Sequence, residues 1–481
     1  MRWPGFCGPT RRSQSLLASP ERTINWYPHR VPRSDGSTIT VLYPTPGLIE
    51  FATAPESPGR GIFSENDRCF AVIGAALYEV FADGTKTSRG TVATDQYPAT
   101  MVTNGDGGGE LFITSGNTGY ILNLSTNGLS SVVASVTMGG MIDGFFVALD
   151  IDTSTLRISD LLDGTTWDST QIAQRSTAPD PWKALLVKYP RIWLLGEQTG
   201  DVWYNAGTSP FPFAPISSIQ IPYGIAAPFT LKVVGTSVMW LTHNANGDGQ
   251  VVAAEGYTPI VVSDEAVEYA IGQYSRIDDA VAFSYQDQGH EFYQLNFPTA
   301  GATWVYDRTM AQWHERASFD TTTGMFDIWG PQYHTHVFDK HLVLHEAAGT
   351  IYDMTINSSV GADGNLIRRL RRGPAIQSDQ ERMFIDRMQV YFEPGLGLVT
   401  GQGSDPEVML RLSRDGGKTW GNTRTRTAGA LGQYRTRIDY FRCGSGRSIV
   451  PEITVTDPIP WRLIDMYADV RRGTSPWGQA S

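Results

Sequence analysis

The chain has 481 residues, a net charge of −11 and 18% charged residues. This length exceeds one ordinary domain and is enough to bury a large core, so we expect two or three domains. Glycine (50 residues), proline (28) and tryptophan (13) are abundant, a composition typical of an all-β protein with many turns.

The cysteines and the chain start bear on the compartment. Cys7, Cys69 and Cys443 lie far apart and form no CxxC pair, so neither a disulfide framework nor a cysteine-rich zinc site is predicted. No run of about 18 apolar residues indicates a membrane span. Pro4 and Arg11 stand where a signal peptide needs an apolar core. We therefore expect a soluble protein made in a reducing cytoplasm.

The first 55 residues are rich in proline, with few regular alternations; the prolines include Pro28, Pro32, Pro44, Pro46 and Pro55. Proline removes a backbone donor and is confined in sheets to edges and irregular positions. We predict that residues 1–55 form an extended arm that packs along another structure.

Residues 56–360 repeat one pattern: a short apolar strand, a turn, and a strand that often carries an aromatic residue. Units begin at Cys69, Glu110, Gly144 and Arg191, and successive starts lie about 35 to 55 residues apart. This is the spacing of four-stranded propeller blades. We predict a β-propeller of six or seven blades. One short helix is predicted at 263–272, with Ser263 as its N-cap.

Longer alternating strands follow, such as RMQVYFEPG at 387–395, and they predict a β-sandwich-like domain over 361–481. Residues 365–481 contain 18 Arg or Lys and 12 Asp or Glu, so they carry +6 and the remainder carries −17. Such asymmetry indicates a basic face on an acidic molecule. That face is either a solvated surface or one directed at nucleic acid or an acidic partner.

The stretch LSRDGGKTWG (412–421) resembles the Asp box of sialidases and related β-propeller proteins. Short acceptor side chains bind backbone N–H groups in turns, glycine permits tight hairpin geometry, and the Thr-Trp pair is expected to start the return strand. A degenerate copy lies at 159–168. No position needs a substrate, so we predict structural turns. The residues of the main turn are Ser413, Asp415, Gly417, Thr419 and Trp420.

A glycan-binding or sialidase-like propeller stays open as an alternative function. A sialidase needs clustered arginines, an acidic acid/base and a tyrosine nucleophile, and no spacing here singles out such a set. NGDGGGE (104–110) and NANGDGQ (244–250) look like calcium loops but lack the full ligand set, so we interpret them as turns. No catalytic, cofactor-binding or metal site is predicted.

Half of the eight histidines fall within twelve residues: His334, His336, His341 and His345. On strands, the first two share one face, as do the last two. A hairpin that joined the pairs would have the chemistry of a zinc site. The spacing matches no established zinc signature, and cross-strand surface histidines are the favoured interpretation.

Four arginines crowd the presumed domain junction: Arg368, Arg369, Arg371 and Arg372. Guanidinium groups pair bidentately with phosphates and carboxylates. We predict that this cluster contacts a neighbouring subunit, with a solvated linker as the alternative.

Segments in a fixed order carry a family resemblance. ERTINWYPHRVP and LYPTPGLIEF come first, LRISDLLDGTTWD, RIWLLGEQTGDVWYNAG, IPYGIAAP and WVYDRTMAQWHERAS follow, and VMLRLSRDGGKTWG, GQYRTRIDYFRCGSGR and WRLIDMYADV come last. Together they resemble the tail nozzle proteins of short-tailed bacteriophages, also called packaged-DNA stabilisation proteins. The similarity covers most of the chain.

This resemblance implies a structural virion protein: a homohexameric ring in the tail, below the portal and its adaptor ring, assembled in the host bacterial cytoplasm. The ring would retain packaged DNA and conduct it during ejection, and double-stranded DNA would pass without sequence specificity. The implied partners are the portal adaptor (head–tail connector) protein, a tail needle or tip protein, and tail fibres or tailspikes. The arginine cluster would then contact a subunit or the adaptor. Such nozzles are not enzymes and hold no cofactor.

Overall fold

A computed structural model describes residues 1–176, 178–243, 249–378 and 381–473. Strands dominate these residues. Two short helices, α1 (Gly105–Gly108) and α2 (Glu265–Ile271), and a 3-10 turn at Pro228–Thr230 complete the regular structure described. None of these helices is long and apolar enough to cross a membrane.

The N-terminal segment supplies five strands, which join three different sheets of the same chain. They are β1 (Arg11–Arg12), β2 (Pro20–Ile24), β3 (Trp26–Pro32), β4 (Thr38–Pro44) and β5 (Gly47–Thr53). β2 joins the sheet of a propeller blade, β3 and β4 join a sheet of the C-terminal domain, and β5 joins another blade. Residues 1–55 thus find their pairing partners within the chain.

Six antiparallel, four-stranded blades follow in chain order. Blade one contains β6 (Gly59–Glu65), β7 (Arg68–Ile73), β8 (Ala76–Val80) and β9 (Lys86–Thr91). Blade two contains β10 (Thr100–Thr103), β11 (Glu110–Ser115), β12 (Thr118–Asn123) and β13 (Leu129–Ala134). Blade three contains β14 (Met138–Ile142), β15 (Phe145–Leu149), β16 (Thr155–Ile158) and β17 (Ile172–Gln174).

The next three blades have the same plan. Blade four contains β18 (Trp182–Lys188), β19 (Arg191–Gly196), β20 (Gly200–Asn205) and β21 (Phe213–Ile221). Blade five contains β22 (Lys232–Val234), β23 (Ser237–His243), β24 (Gly249–Glu255) and β25 (Thr258–Val261). Blade six contains β26 (Val281–Asp287), β27 (His290–Phe297), β28 (Ala302–Asp307) and β29 (Gln312–Arg316).

Blade seven is built from both ends of the propeller region. After a small hairpin, β30 (Ser318–Asp320) and β31 (Met325–Asp327), come its three inner strands β32 (Pro331–Val337), β33 (Lys340–His345) and β34 (Thr350–Thr355). The outermost strand is β5, paired antiparallel to β34 with Leu48 opposite Met354. The innermost strands β32 and β6 contact each other and close the ring. The propeller therefore has seven blades, sealed by a strand from the N-terminal segment.

The C-terminal domain is a two-sheet β-sandwich. Its strands are β35 (Arg369–Arg372), β36 (Ile376–Gln377), β37 (Met383–Phe392), β38 (Glu407–Ser413), β39 (Arg424–Thr427), β40 (Ile438–Gly446), β41 (Ser448–Val455) and β42 (Leu463–Arg472). One sheet has the order β3-β4-β42-β37-β40, with β40 at an edge. The inner faces bury a separate apolar core around Met388, Tyr440 and Trp461.

Local chemistry explains many of the hairpins. Asn66 and Asp67, between β6 and β7, both have positive φ (47° and 57°), as the two-residue turns of twisted hairpins require. Helix α2 begins one residue later than expected: Asp264 is the N-cap and accepts the N–H of Val267, while Ser263 donates its hydroxyl to Glu268. Asp264 is the better cap because its carboxylate faces the free N–H groups of the first turn.

Candidate functional site at the junction of propeller and sandwich

One continuous sheet joins the two domains. Blade six ends in β29, which pairs parallel with β2, and β2 pairs with β35, which pairs with β41 of the sandwich. The arginine cluster lies on or beside β35, at the centre of this sheet. The junction is therefore formed by blade six, the N-terminal segment and the start of the sandwich.

Arg371 is fully buried at the centre of this junction. Its Nη1 donates to the carbonyl of Pro9 (2.9 Å) and to the hydroxyl of Thr23 (2.8 Å). Its Nη2 lies 2.6 Å from Oε2 of Glu21, and its Nε donates to the carbonyl of Phe6. Burial lowers the pKa of Arg371, and Glu21 opposes that effect. The side chain thus fixes the N-terminal segment to the sandwich.

Arg372 and Arg411 enclose Trp420. Their guanidinium carbons lie 4.7 and 4.8 Å from the indole centroid, and both groups pair with the buried carboxylate of Glu452. A desolvated carboxylate between two guanidiniums is favourable because both of its oxygens are satisfied. Trp420 is therefore packed by cations from neighbouring strands.

Arg368 and Arg369 differ in exposure. Arg369 is buried, donates to the carbonyl of Ile367 at 3.4 Å, and has its pKa lowered to about 10 by burial. Arg368 is half-buried, with its guanidinium 4.3 Å from the ring centroid of Phe319. Of the four arginines, Arg368 and Arg372 are not fully buried, although Arg372 already pairs with Glu452.

The predicted contact of the cluster with a subunit or the adaptor therefore applies to only two of the four arginines. Dense charge on a chain usually marks a surface, but Arg369 and Arg371 spend their hydrogen bonds inside this chain. For these two residues the subunit or adaptor contact is replaced by an internal one, because β35 is a central strand. For Arg368 and Arg372 that contact stays a prediction.

Asn25 also joins distant parts of the chain, a role that its sequence pattern does not predict. It has a left-handed φ of 59°, and its amide donates to the carbonyls of Ala317 and Arg368, both at 2.8 Å. Its Oδ1 accepts the N–H of Ala317. Asparagine tolerates this backbone conformation better than most residues. Asn25 thus links the end of β2 to blade six and to the start of β35.

A histidine relay fixes the β3–β4 hairpin to blade six. His29 Nδ1 lies 2.7 Å from His290 Nε2, and His290 Nδ1 lies 2.6 Å from Oδ2 of the buried Asp307. Burial and the neighbouring His290 lower the pKa of His29. No sequence signal could have paired these residues, which lie on separate strands far apart in the chain.

The Asp-box stretch lies in the sandwich, in the long connection between β38 and β39. Asp415 accepts the N–H groups of Lys418 (3.0 Å) and Thr419 (2.9 Å) and the hydroxyls of Ser413 and Thr419, both at 2.6 Å. Ser413 in turn accepts the N–H of Gly417 at 2.7 Å. The hydrogen bond from Ser413, followed by those from Thr419, holds the pKa of Asp415 well below its usual value. The return strand starts at Arg424, so Thr419 and Trp420 still belong to the turn.

The degenerate copy at 159–168 has a related geometry between β16 and β17. Asp163 accepts the N–H of Thr165 at 2.8 Å, and the indole of Trp167 donates to the carbonyl of Gly164 at 2.8 Å. The N–H of Gly164 donates to Glu110 of blade two. The polar atoms of both turns thus bind the chain itself.

The histidine cluster lies on the β32–β33 hairpin. His334 Nε2 lies 3.0 Å from His341 Nδ1, and His336 pairs across the hairpin with His341, whereas His345 lies near Tyr352. Across the described ranges no group of three or more His, Cys, Asp or Glu side chains is arranged to hold a metal ion.

Of the two loops that look like calcium sites, the first lies wholly within the described residues. The first contains helix α1, closed by Asn104, whose amide donates to Glu110 at 2.9 Å. In the second loop, residues 244–248 lie outside the described residues.

Comparison with protein families supplies the decisive observation. Residues 24–342 match the family model described as bacteriophage P22 Gp10, beta-propeller, and residues 368–471 match the model described as bacteriophage P22 Gp10, beta-sandwich. The chain belongs to the bacteriophage P22 Gp10 family. This confirms the resemblance to packaged-DNA stabilisation proteins and the all-β fold of a propeller followed by a sandwich. As a member of this phage structural family, the chain is a virion protein that contacts other virion proteins.

No curated protein matches the chain. Several solved structures match the chain at low TM-scores. The N-terminal domain of Nup159 is 10% identical, with 64% of this chain and 95% of that one covered and a TM-score of 0.42. The extracellular domain of BT4673 from B. thetaiotaomicron is 8% identical, with 72% and 43% covered and a TM-score of 0.43. Streptogramin B lyase is 10% identical, with 64% and 97% covered and a TM-score of 0.38. At these scores the likenesses support no conclusion about function.

Proposed function

We propose that six copies of this protein form the nozzle ring of a phage tail, below the portal and its adaptor, where the ring retains packaged DNA and conducts it during ejection. The observation that carries the proposal is the match of both Gp10 regions, in order, over 24–342 and 368–471. Assembly takes place in the bacterial cytoplasm, in keeping with the free thiols of Cys7, Cys69 and Cys443.

The junction supports a mechanical role. A ring that holds back packaged DNA bears load, and a hinge between domains would dissipate it. Here the propeller and the sandwich share a continuous sheet, and the buried Arg371 fixes to the sandwich the N-terminal strand that lies between them. Two domains held in this way move as one body, which suits a wall element.

The route of the DNA follows from the size of the propeller. The cavity on the axis of a single propeller has a volume of about 540 Å³, which is the size of a small-molecule site. Duplex DNA, whose major groove alone is about 12 Å wide, cannot occupy it. We therefore infer that DNA passes through the centre of the ring, between subunits.

The charge of the chain fits a conduit. DNA carries one negative charge per roughly 1.7 Å of axis, and basic surfaces bind it without sequence preference. A tightly binding lining would slow ejection, and a chain of net charge −11 avoids this. The expected neighbours are the adaptor on one side, the needle or tip protein at the far end, and fibres or tailspikes at the side.

Two measurements test the proposal. Mass analysis of purified tails is expected to give six copies per tail, and one or three copies would contradict the ring. Phage that lacks this protein is expected to fill its heads and then lose the DNA, with retention restored by the protein supplied in trans. Stable, full heads in its absence would contradict the retention role.

A further inference from the structure

The propeller axis contains a cavity that the proposed function does not use. Its volume is about 540 Å³, and the inner strands of all seven blades contribute to its wall. Apolar side chains, three of them methionines, make up about half of the wall; they include Met101, Met138, Met141, Leu185, Val187 and Phe229. A molecule in this cavity would contact every blade.

Lys232, on the inner strand of blade five, is the one charged side chain among the described residues that line the cavity. Its ammonium group has no hydrogen-bond or ion-pair partner within the described part of the chain. Burial alone lowers its pKa to about 8, without a contribution from any neighbouring charge. His334, on the inner strand of blade seven, has a pKa lowered to about 3 by burial and by His341, so it is neutral near pH 7.

Two hydroxyl groups of the cavity wall already have hydrogen-bond partners. Ser284 donates its hydroxyl to the carbonyl of Val233 at 2.7 Å. Thr100 shares its hydroxyl with Thr114 at 2.6 Å and accepts the N–H of Gly139 at 2.9 Å. An unpaired ammonium in apolar surroundings is costly, and an opposite charge placed beside it removes that cost.

We propose that the axial cavity is a binding site for a small carboxylate with an apolar tail, whose carboxylate pairs with Lys232 and whose hydrocarbon lies against the methionine-rich wall. One cation matches one negative charge, so a monoanion fits better than a phosphate monoester or a nucleotide. The volume lies within the usual range for small-molecule sites, about 300–1,000 Å³.

The far end of the cavity favours the same placement. A second cavity of about 260 Å³ shares Phe229, Val281 and Gln332 with the first, so the two are adjacent. The charged residues lining this end are four acids and two bases: Asp152, Asp278, Asp279, Glu346, Lys183 and Arg276. This net negative mouth repels an anion, whereas Lys232 attracts one.

The test uses purified protein and sodium octanoate as the probe. A ligand that binds only the folded state raises the midpoint of thermal unfolding, so octanoate is expected to raise it in the wild type. In Lys232→Met, which keeps an apolar stem and removes the charge, the rise is expected to vanish. By calorimetry, octanoate is expected to bind this variant at least about tenfold more weakly, the factor that corresponds to roughly 1.4 kcal/mol.

The matched control is Lys183→Met, at the charged mouth, where Lys183 already pairs with Glu197 at 3.3 Å. This variant is expected to respond like the wild type. Without ligand, Lys232→Met is expected to unfold at the same temperature as the wild type or higher, because it loses a half-buried charge that forms no ion pair within the described part of the chain. Folding of the variant is therefore checked by the same measurement.

Other probes separate the chemistry. Octanol, with the same chain and no charge, and inorganic phosphate, with charge and no chain, are both expected to give smaller shifts than octanoate. An equal octanoate shift in Lys232→Met, or none in the wild type, would overturn the proposal. A shift with phosphate that depends on Lys232 and matches that of octanoate would overturn the assignment of an apolar ligand. None of these results depends on ring assembly.

Discussion

The guanidinium of Arg371 is buried, and its Nη2 atom lies 2.6 Å from Oε2 of Glu21. This contact joins the first strand of the sandwich to a strand of the N-terminal segment, and the same guanidinium also binds Thr23 and main-chain carbonyls. One side chain thus holds β35 to two stretches of the N-terminal segment.

Replacement of Arg371 by methionine is therefore expected to lower the free energy of unfolding by about 3–5 kcal/mol, the cost of breaking a buried ion pair from one side. Arg371→Lys is expected to recover little, because an ammonium cannot reproduce the planar set of donors. Chemical denaturation followed by tryptophan fluorescence provides the measurement.

The matched control is Arg368→Ala. This residue is half-buried and stacks on Phe319, so its loss is expected to cost less than about 1 kcal/mol. Equal costs at positions 368 and 371 would contradict the central role of Arg371.

The closure of blade seven by β5 gives a second prediction. On β5, Leu48 is 3% exposed and packs with Val343 and Met354, whereas the adjacent Ile49 is 49% exposed. Leu48→Ala is expected to cost about 2–5 kcal/mol, as large-to-small changes in cores do. Ile49→Ala is expected to cost less than about 1 kcal/mol.

Limited proteolysis of the two variants locates the effect. Since β5 is the outermost strand of blade seven, Leu48→Ala is expected to expose cleavage sites in β5 and β34 before the sandwich is cut. First cleavage in the sandwich would show that β5 does not seal the propeller.

The blade spacing and the turn chemistry could be predicted from the local sequence, because both depend on residues close together in the chain. Asp415 contacts N–H groups only three and four residues away, so its role could be predicted. The place of β5 could not be predicted, because Gly47 pairs with the distant Thr355 and no sequence feature of either segment identifies the other as its partner.

The arginine cluster illustrates a different limit. A run of four arginines in five positions usually indicates a solvent-exposed segment, and burial of such groups requires partners from distant parts of the chain. Arg371 finds its partners among residues 5–23, in a segment that appeared extended because its strands pair with distant ones. Asn25 shows the same point, since its contacts at Ala317 and Arg368 link three regions.

The histidine hairpin predicts a dependence of stability on pH. Burial, more than the neighbouring His341 and His336, lowers the pKa of His334 to about 3, against about 6.5 in an unfolded chain. Between these values the unfolded state binds more protons, so stability falls as pH drops from about 6.5 toward 3. From pH 7 to pH 5, His334 is expected to account for about 2 kcal/mol of that loss.

Denaturation midpoints of His334→Gln at pH 7 and pH 5 test this, since glutamine cannot take up the proton. The difference between the two midpoints is expected to be smaller than in the wild type. His336→Gln, on the same strand but exposed, is expected to keep the wild-type difference. An unchanged difference in His334→Gln would assign the pH dependence to other groups.

The outer face of the sandwich sheet makes the prediction most directly tied to assembly. Phe384, Tyr391, Phe441 and Tyr467 are all exposed there, on neighbouring strands β37, β40 and β42. Exposed aromatic clusters are typical of protein interfaces. We expect this face to contact the next subunit of the ring.

Phe441→Glu is therefore expected to prevent incorporation of the protein into tails while its thermal unfolding stays within a few degrees of the wild type, because the ring of Phe441 is 58% exposed. The matched control is Met325→Glu, which introduces the same charge at a side chain 67% exposed on the β30–β31 hairpin. Tails purified from phage supplied with each variant provide the measurement. A closed ring tolerates no weakened contact, because every subunit repeats the same defect. Normal tails with Phe441→Glu would show that the sandwich face points to solvent and that the ring is held through the propeller instead.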